Sequence, residues 1–304
     1  MGKKKVKIGQ FEADMMLVLV TLCWGVSYFM MSLCLEEMGP LTLNAYRFLG
    51  AFAVAFLVAF PRVRKVNRIT IKYAFLISIS LIFVYIGATY GVMYTSQSNA
   101  GFFCATSTIF TPIIVFIFRK IKPDRKLAVV IVLCTIGIAL MSLDSNMHIA
   151  LGDLLCLMCG LAYGFDLLIT EIAVSHEDVN AFQIGVYQLG FTGVWMLILS
   201  FLFEEPCLPQ TAGCWASVAF LAIFCTGVAF VVQAIAQQYT SATHVGVIFA
   251  LEPVFAGIVA FIFAGERLLP RAYVGAAIML ISLIVMEVDI KGIWQKIRNI
   301  IYII

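Results

Sequence analysis

The sequence predicts an all-α integral membrane protein, built as ten transmembrane helices in two inverted five-helix repeats. Three observations carry that reading. The chain of 304 residues is 62% apolar and only 12% charged, with a mean hydropathy of +1.02. A soluble domain is nearer a quarter charged, so this composition cannot clothe a soluble core. Ten apolar segments follow one another with short connections. The two halves also align without gaps at a shift of 145 residues.

The segments run over 13–35, 42–60, 71–94, 98–118, 126–143, 151–173, 181–203, 213–237, 243–263 and 270–287. Each matches the length that crosses a hydrocarbon core. Met1–Ile8 is basic and precedes an apolar run, which a cleaved leader would also show. That run continues through Trp24 and Tyr28 to Glu36, so it reads as a retained first span. Fourteen Lys or Arg residues gather in three places: Lys3 to Lys7, Arg62 to Lys72, and Arg119 to Lys126. Alternate connections carry acids instead: Glu36 and Glu37, Asp144, then Glu204 and Glu205. The positive-inside bias puts the N-terminus in the cytoplasm of a cell inner or plasma membrane, and an even span count returns the C-terminus there. The second half has almost no basic residues in its inner connections, so packing on the first half must orient it. Residues 289–304 alternate Ile and Trp with Lys, Arg and Asn at helical spacing. They read as an amphipathic helix on the cytoplasmic membrane surface.

The repeat divides the chain into units at 1–144 and 145–288. Tyr94-Thr95-Ser96 falls on Tyr239-Thr240-Ser241, Gly101 on Gly246, Phe110 on Phe255, and Phe116-Ile117-Phe118 on Phe261-Ile262-Phe263. At a shift of 141 residues, Tyr46-Arg47 falls on Tyr187-Gln188. Five spans are an odd number, so the second unit must be inverted relative to the first. Inverted repeats are a recurring route to alternating access.

Polar residues at membrane depth are costly and usually face a cavity or a partner. Arg47, Asp166, Glu171 and Glu252 are such residues. For each, a cavity role and a structural pair near the interface both stand. Aromatics and amides form a second group: Trp24 with Tyr28, Tyr85, Tyr90, Tyr163, Tyr187 with Gln188, and Gln233 with Gln237. Four-residue spacing sets Trp24 with Tyr28, and Gln233 with Gln237, on one helix face. A pocket of aromatic faces and a few amides would suit a small, partly apolar solute. Aromatics also gather at membrane interfaces without binding anything. Glycines such as Gly25, Gly87, Gly91 and Gly160 permit close helix contact. Cys207 lies in the connection before the eighth span and Cys214 at that span's very start, around Pro209 and Gly213, on the extracytoplasmic side. They are either a disulfide closing a small ring or two free thiols. The other cysteines read as buried hydrophobes.

One stretch is more specific. Ala250 to Glu287 reads as two apolar arms around a charged corner, with Glu252-Pro253 opening the first arm, Gly265-Glu266 at the corner and Gly275 beyond it. It closely resembles the last two helices of an EamA-type transporter of the drug/metabolite transporter superfamily. Trp24-Gly25, Pro40 and Arg47 match the usual opening of the first unit, and Gly152-Asp153 and Ala162-Tyr163 that of the second. The first unit departs from the pattern, with Ser107-Thr108 where the second has Glu252-Pro253. The resemblance implies a bend at Glu252-Pro253 beside a central cavity, and export or exchange of small metabolites, amino acids or drugs.

The expected function is therefore secondary transport of a small organic metabolite such as an amino acid, by export or exchange through alternating access. The substrate cavity would involve Trp24, Tyr28, Arg47, Tyr90, Tyr163, Tyr187, Gln188, Gln233 and Gln237. Gating or proton coupling would fall to Glu252, Pro253, Asp166 and Glu171. The partners are a small-molecule substrate, membrane lipid, and protons or a counter-substrate; no nucleic acid, cofactor or metal is expected, and a monomer suffices. A lipid-handling or scramblase-like protein is the alternative. An enzyme would need a convergent nucleophile or metal set, which the sequence does not offer. Without a Walker A sequence, ATP-driven pumping by this chain is not expected either.

Overall fold

The computed structural model describes residues 9–95, 97–142, 150–263 and 269–287, and nearly all of them are helical. The basic N-terminal residues Lys3 to Lys7, Asp144 at the junction of the two units, the Gly265-Glu266 corner and the tail 289–304 lie outside the described residues.

The helices are α1 (Gln10–Leu35), α2 (Pro40–Val58), α3 (Phe60–Val63), α4 (Arg68–Tyr94), α5 (Gln97–Cys104), α6 (Ser107–Arg119) and α7 (Arg125–Ser142). They continue with α8 (Leu151–Val174), α9 (Ala181–Phe203), α10 (Ala212–Ala222), α11 (Ala229–Ala236), α12 (Ala242–Phe249), α13 (Glu252–Phe263) and α14 (Pro270–Glu287). Among the described residues, eight are long and apolar enough to span: α1, α2, α4, α8, α9, and the composite helices α5–α6, α10–α11 and α12–α13. The fifth and tenth expected segments are α7 and α14, eighteen residues each. The chain is thus a multi-spanning all-α membrane bundle.

Each helix end needs partners for its orphan amides, because lipid supplies none. Asn67 caps α4 by accepting from the Thr70 amide at 2.7 Å, and Asn180, Thr211 and Ser241 do the same for α9, α10 and α12. Pro40 opens α2, where its missing donor costs nothing.

Two composite helices break in the interior. Gln97 and Ala242 start them, Cys104 and Phe249 end the first pieces, and Ser107 and Glu252 start the second, a constant separation of 145 residues. Packing between the halves is reciprocal in the same way. Helix α4 lies on α8 and α1 on α10–α11; α5–α6 lies on α8 and α12–α13 on α1; α2 pairs with α9, and α7 with α14. Glycines permit the closest of these contacts. A Cβ on Gly87 would lie 2.5 Å from the Leu155 carbonyl oxygen, and one on Gly152 would lie 2.6 Å from the Tyr94 carbonyl carbon.

Hydrogen bonds define two ends. At one, Arg119 Nη1 donates to Glu171 Oε1 at 2.6 Å, His244 meets Asp14 at 3.1 Å, and Gln183 donates to the Arg62 and Lys65 carbonyls. This is the basic end. At the other, Glu204 accepts from the Leu41 and Thr42 amides at 2.9 and 2.8 Å, so the end of α9 caps the start of α2. Reciprocally, Glu37 beyond α1 accepts from the Gln210 and Thr211 amides at the start of α10. The Thr211 hydroxyl and these amides hold the Glu37 carboxyl below its ordinary range.

Candidate functional site

Near mid-height, where the composite helices break, the bundle encloses a narrow cavity of about 50 Å³. Trp24 and Tyr28 from α1, Arg47 from α2, Tyr85 from α4, Tyr163 from α8 and Glu252 from α13 line it. Cys104, Cys159 and Phe230 complete much of the wall. Both halves contribute, and almost every lining side chain is buried.

A local irregularity shapes one wall. Between α10 and α11, residues Ile223–Val228 form a π-helical turn, the kind of widening often found at functional sites. Trp24 Nε1–H donates to the Cys225 carbonyl at 2.9 Å, and Arg47 Nε–H to the Thr226 hydroxyl at 2.9 Å, so both first-half side chains are anchored on this turn. Trp24 then packs within 6 Å of the Tyr163, Phe230 and Phe249 rings, centroid to centroid, forming an aromatic wall.

Arg47 is 1% exposed, and among the described residues it has no carboxylate partner. Its guanidinium lies 4.8 Å from the Tyr85 ring centroid, where the π-face supports the charge. Glu252 stands in the first turn of α13, where the helix dipole favours an acid. Tyr28 donates its hydroxyl proton to Glu252 Oε1 at 2.6 Å. One basic and one acidic side chain therefore face the same cavity without pairing with each other. Pro253 also sits in the first turn of α13, after the break, where a missing amide proton is tolerated.

Tyr163 joins the cavity to a second polar group. Its hydroxyl donates to Gln233 Oε1 at 2.7 Å. Gln233 Nε2 reaches Asp166 Oδ2 and Gln237 Oε1, both at 3.3 Å, and Gln237 Nε2 donates to the Leu167 carbonyl at 3.0 Å. The Ser80 hydroxyl donates to Asp166 Oδ1 at 3.3 Å. This buried chain runs from the cavity along α8 and α11 toward the basic end.

Five residues expected in the cavity lie elsewhere. Gln233 and Gln237 belong to the polar chain just described. The Tyr90 hydroxyl donates to Glu204 Oε1 at 3.0 Å at the acidic end, and the Tyr187 hydroxyl to the Val63 carbonyl at 2.9 Å at the basic end. Gln188 is buried in α9, away from the lining. Glu171 does not face the cavity either: it pairs with Arg119 and accepts from the Ala242 amide at 2.6 Å, capping α12. Cys207 and Cys214 are free thiols in the structure. Cys207 Sγ lies 3.5 Å from the Glu37 carbonyl, while Cys214 is buried at the start of α10 beneath Cys34, so the two sulfurs have different surroundings. Sequence reasoning missed Thr226, Phe230, Cys104 and Cys159. A buried Phe or Cys carries no mark distinguishing it from core, and the π-helical turn has no sequence signature.

The model of the family described as "EamA-like transporter family" matches the chain twice, over residues 12–143 and 150–288. The chain belongs to the EamA-like transporter family. As an EamA protein it is a multi-pass, alternating-access secondary transporter of small molecules. It is similar to an uncharacterized transporter of Archaeoglobus fulgidus, 29% identical over 95% of this chain and 89% of that protein. It is also similar to the uncharacterized transporter YoaV of Bacillus subtilis, 23% identical over 86% of this chain and 92% of that one. A solved crystal structure, 14% identical, superposes with a TM-score of 0.75 over 91% of this chain and 96% of its own, a likeness of fold.

Proposed function

We propose that this EamA protein exports or exchanges a small zwitterionic metabolite, an amino acid being the simplest member of that class. The observation that carries the reading is the unpaired presence of Arg47 and Glu252 on one aromatic-walled cavity. A carboxylate can dock on the guanidinium, an ammonium can approach the Glu252 carboxyl and the ring faces, and an apolar side chain can lie against Trp24 and Tyr163. Pockets for small organic molecules usually measure roughly 300–1,000 Å³. A cavity of about 50 Å³ is smaller than that, so loading requires the walls to part.

The reading continues with ten spans, α7 and α14 being the fifth and tenth, and with units 1–144 and 145–288 inverted about the cavity. The reciprocal packing and the matching breaks support it. Both termini are cytoplasmic, because the basic end holds Arg62, Arg64, Lys65, Lys120 and Lys122. Glu252 and Asp166 serve gating or proton coupling, with Tyr163, Gln233 and Gln237 as the inner route between the cavity and the cytoplasmic end. The lipid-handling alternative calls for a polar groove open to lipid, whereas the crevice between α6 and α7 is lined by apolar side chains except for Lys122 at one end.

The test is efflux from proteoliposomes loaded with labelled amino acids, their decarboxylated amines and their amides, against empty vesicles. Zwitterions should leave faster than either singly charged analogue, and Arg47→Gln and Glu252→Gln should each slow efflux about tenfold or more. Equal rates for all three solute classes would overturn the zwitterion reading. No efflux above empty vesicles for any solute would count against this substrate class altogether.

A further inference from the structure

Outside the transport cavity, the basic end carries a second site. Helices α6 and α7 diverge to leave a crevice of about 480 Å³. Ile109, Pro112, Ile113 and Phe116 form one wall, and Ala128 and Ile131 the other. Pro112 lies inside α6, where it supplies no amide donor to the helix ladder. The small Ala128 stands opposite. Ile113 and Phe116 are 48% and 40% exposed, so the crevice opens sideways from the bundle, toward hydrocarbon if α6 and α7 are spans.

Its mouth is cationic. Lys120 caps the end of α6 with a φ of 58°, in the left-handed region, and Lys122 and Pro123 close the crevice at this end. Lys122 Nζ sits 5.6 Å over the Phe116 ring. The neighbouring charges are accounted for. Arg119 is paired with Glu171, Lys126 Nζ donates to the Met286 carbonyl at 2.6 Å, and Asp124 Oδ1 caps α7 by accepting from the Leu127 amide at 2.7 Å. Lys120, Lys122 and Arg125 are exposed and, among the described residues, make no ion pair. Lys122 thus stands at the mouth of a lateral apolar slot, with the exposed Lys120 and Arg125 flanking it in the chain.

We infer that this crevice holds one anionic glycerophospholipid, with its phosphate against Lys120, Lys122 and Arg125 and one acyl chain along Pro112 and Ala128. The complementarity has two parts. A soluble anion would use the cations but not the slot, and a zwitterionic lipid would fill the slot while its own ammonium opposes the cations. The inference rests on α6 and α7 spanning the membrane, as proposed above, and not on the transported solute.

Native mass spectrometry of the full chain, delipidated in detergent and titrated with dioleoyl phosphatidylglycerol or dioleoyl phosphatidylcholine, tests it independently of transport. One phosphatidylglycerol should be retained in preference. Near a membrane surface each basic residue is worth about fivefold in attraction to anionic lipid, so the triple variant Lys120→Gln/Lys122→Gln/Arg125→Gln should lose selectivity by up to roughly a hundredfold. Ala128→Trp should weaken both lipids by filling the slot. The control triple Arg62→Gln/Arg64→Gln/Lys65→Gln, at another basic connection, should keep the preference. Equal retention of both lipids by the unaltered protein would overturn the inference, as would equal loss of selectivity in the two triples.

Discussion

Gly25→Ala probes how far the cavity depends on one close contact between the halves. A Cβ built on Gly25 lies 2.5 Å from Phe255 Cβ and 2.9 Å from both the Ala256 nitrogen and the Phe255 carbonyl carbon. Ordinary contact begins at 3.4 Å, so α1 and α13 must separate by roughly 1 Å, because backbone atoms cannot swing aside. Overpacking of this kind costs about 1–3 kcal/mol. The same shift acts on the cavity, since Gly25 adjoins Trp24 and Phe255 follows Glu252 on α13. The hydrogen bond from Tyr28 to Glu252 is 2.6 Å long, and about 1 Å more takes it beyond O–H···O range. Losing about 1.5 kcal/mol of binding there corresponds to roughly tenfold in flux. Two alanine controls separate this from a general effect of removing glycine. On Gly101 the nearest atom to a new Cβ is 3.7 Å away, and on Gly213 it is 3.9 Å away. Both should melt at or slightly above the unaltered protein, because alanine is the better helix former. The measurements are the detergent melting midpoint and proteoliposome flux. A Gly25→Ala protein as stable and active as Gly101→Ala would refute the reasoning.

Three further outcomes follow from the site and its ends. In a cycle of Tyr28→Phe and Glu252→Gln, the flux losses should be non-additive by about 1 kcal/mol or more, whereas Asp153→Asn, which alters the cap at the start of α8, should change melting rather than flux; additive losses would reject a working bond. The Glu37 carboxyl is held below its ordinary range in the folded state, so its contribution is present above that ordinary range and is lost as pH falls through the lower folded value. Amide exchange at Gln210 and Thr211, normalised for intrinsic rate, should rise in that window and be already raised in Glu37→Gln at neutral pH. Both Cys207 and Cys214 should alkylate in unfolded, unreduced protein; a mass two hydrogen atoms lighter and resistant to blocking would show a bridge instead.

The sequence disclosed the fold because membrane burial leaves a one-dimensional trace. Runs of apolar residues mark the spans, as the eight long apolar helices among the described residues show. Trp24, Tyr28, Arg47, Tyr163 and Glu252 stood out because polar and aromatic side chains at depth need a reason, and these five do meet at one cavity. Tyr90 and Tyr187 met the same criterion and lie at the two ends, since an aromatic anchoring an interface looks identical in sequence to one lining a pocket. Glu37, Glu204 and Glu171 read as connection or span acids. Their work as caps depends on partners 71 to 174 residues away, met only after folding, as with Glu171 and Ala242 at 71 and Glu37 and Thr211 at 174. Nothing in Ile223–Val228 announces a π-helical turn, and so Thr226, which holds Arg47, was invisible.

The two breaks differ in a way that bears on the cavity's polarity. At the first, the Thr108 hydroxyl donates to the Gly246 carbonyl at 2.7 Å, which ties α6 to the backbone of α12. At the second, proline replaces that threonine and removes the tie, and Glu252 stands where the first unit has Ser107. The other charge shows the opposite substitution, for Arg47 aligns with Gln188 of the second unit. Under the proposed repeat, each charged residue of the cavity therefore has a neutral counterpart, and the two charges come from different halves. A strictly duplicated cavity would offer two like groups related by the pseudo-two-fold and would suit a solute with like ends. Divergence at two positions converts it into a dipolar cavity, with the cation fixed to α2 and the acid to α13. If transport proceeds by rocking one proposed half against the other, the distance between the charges changes with it, so a solute bridging both would be gripped while they are close and released as they part.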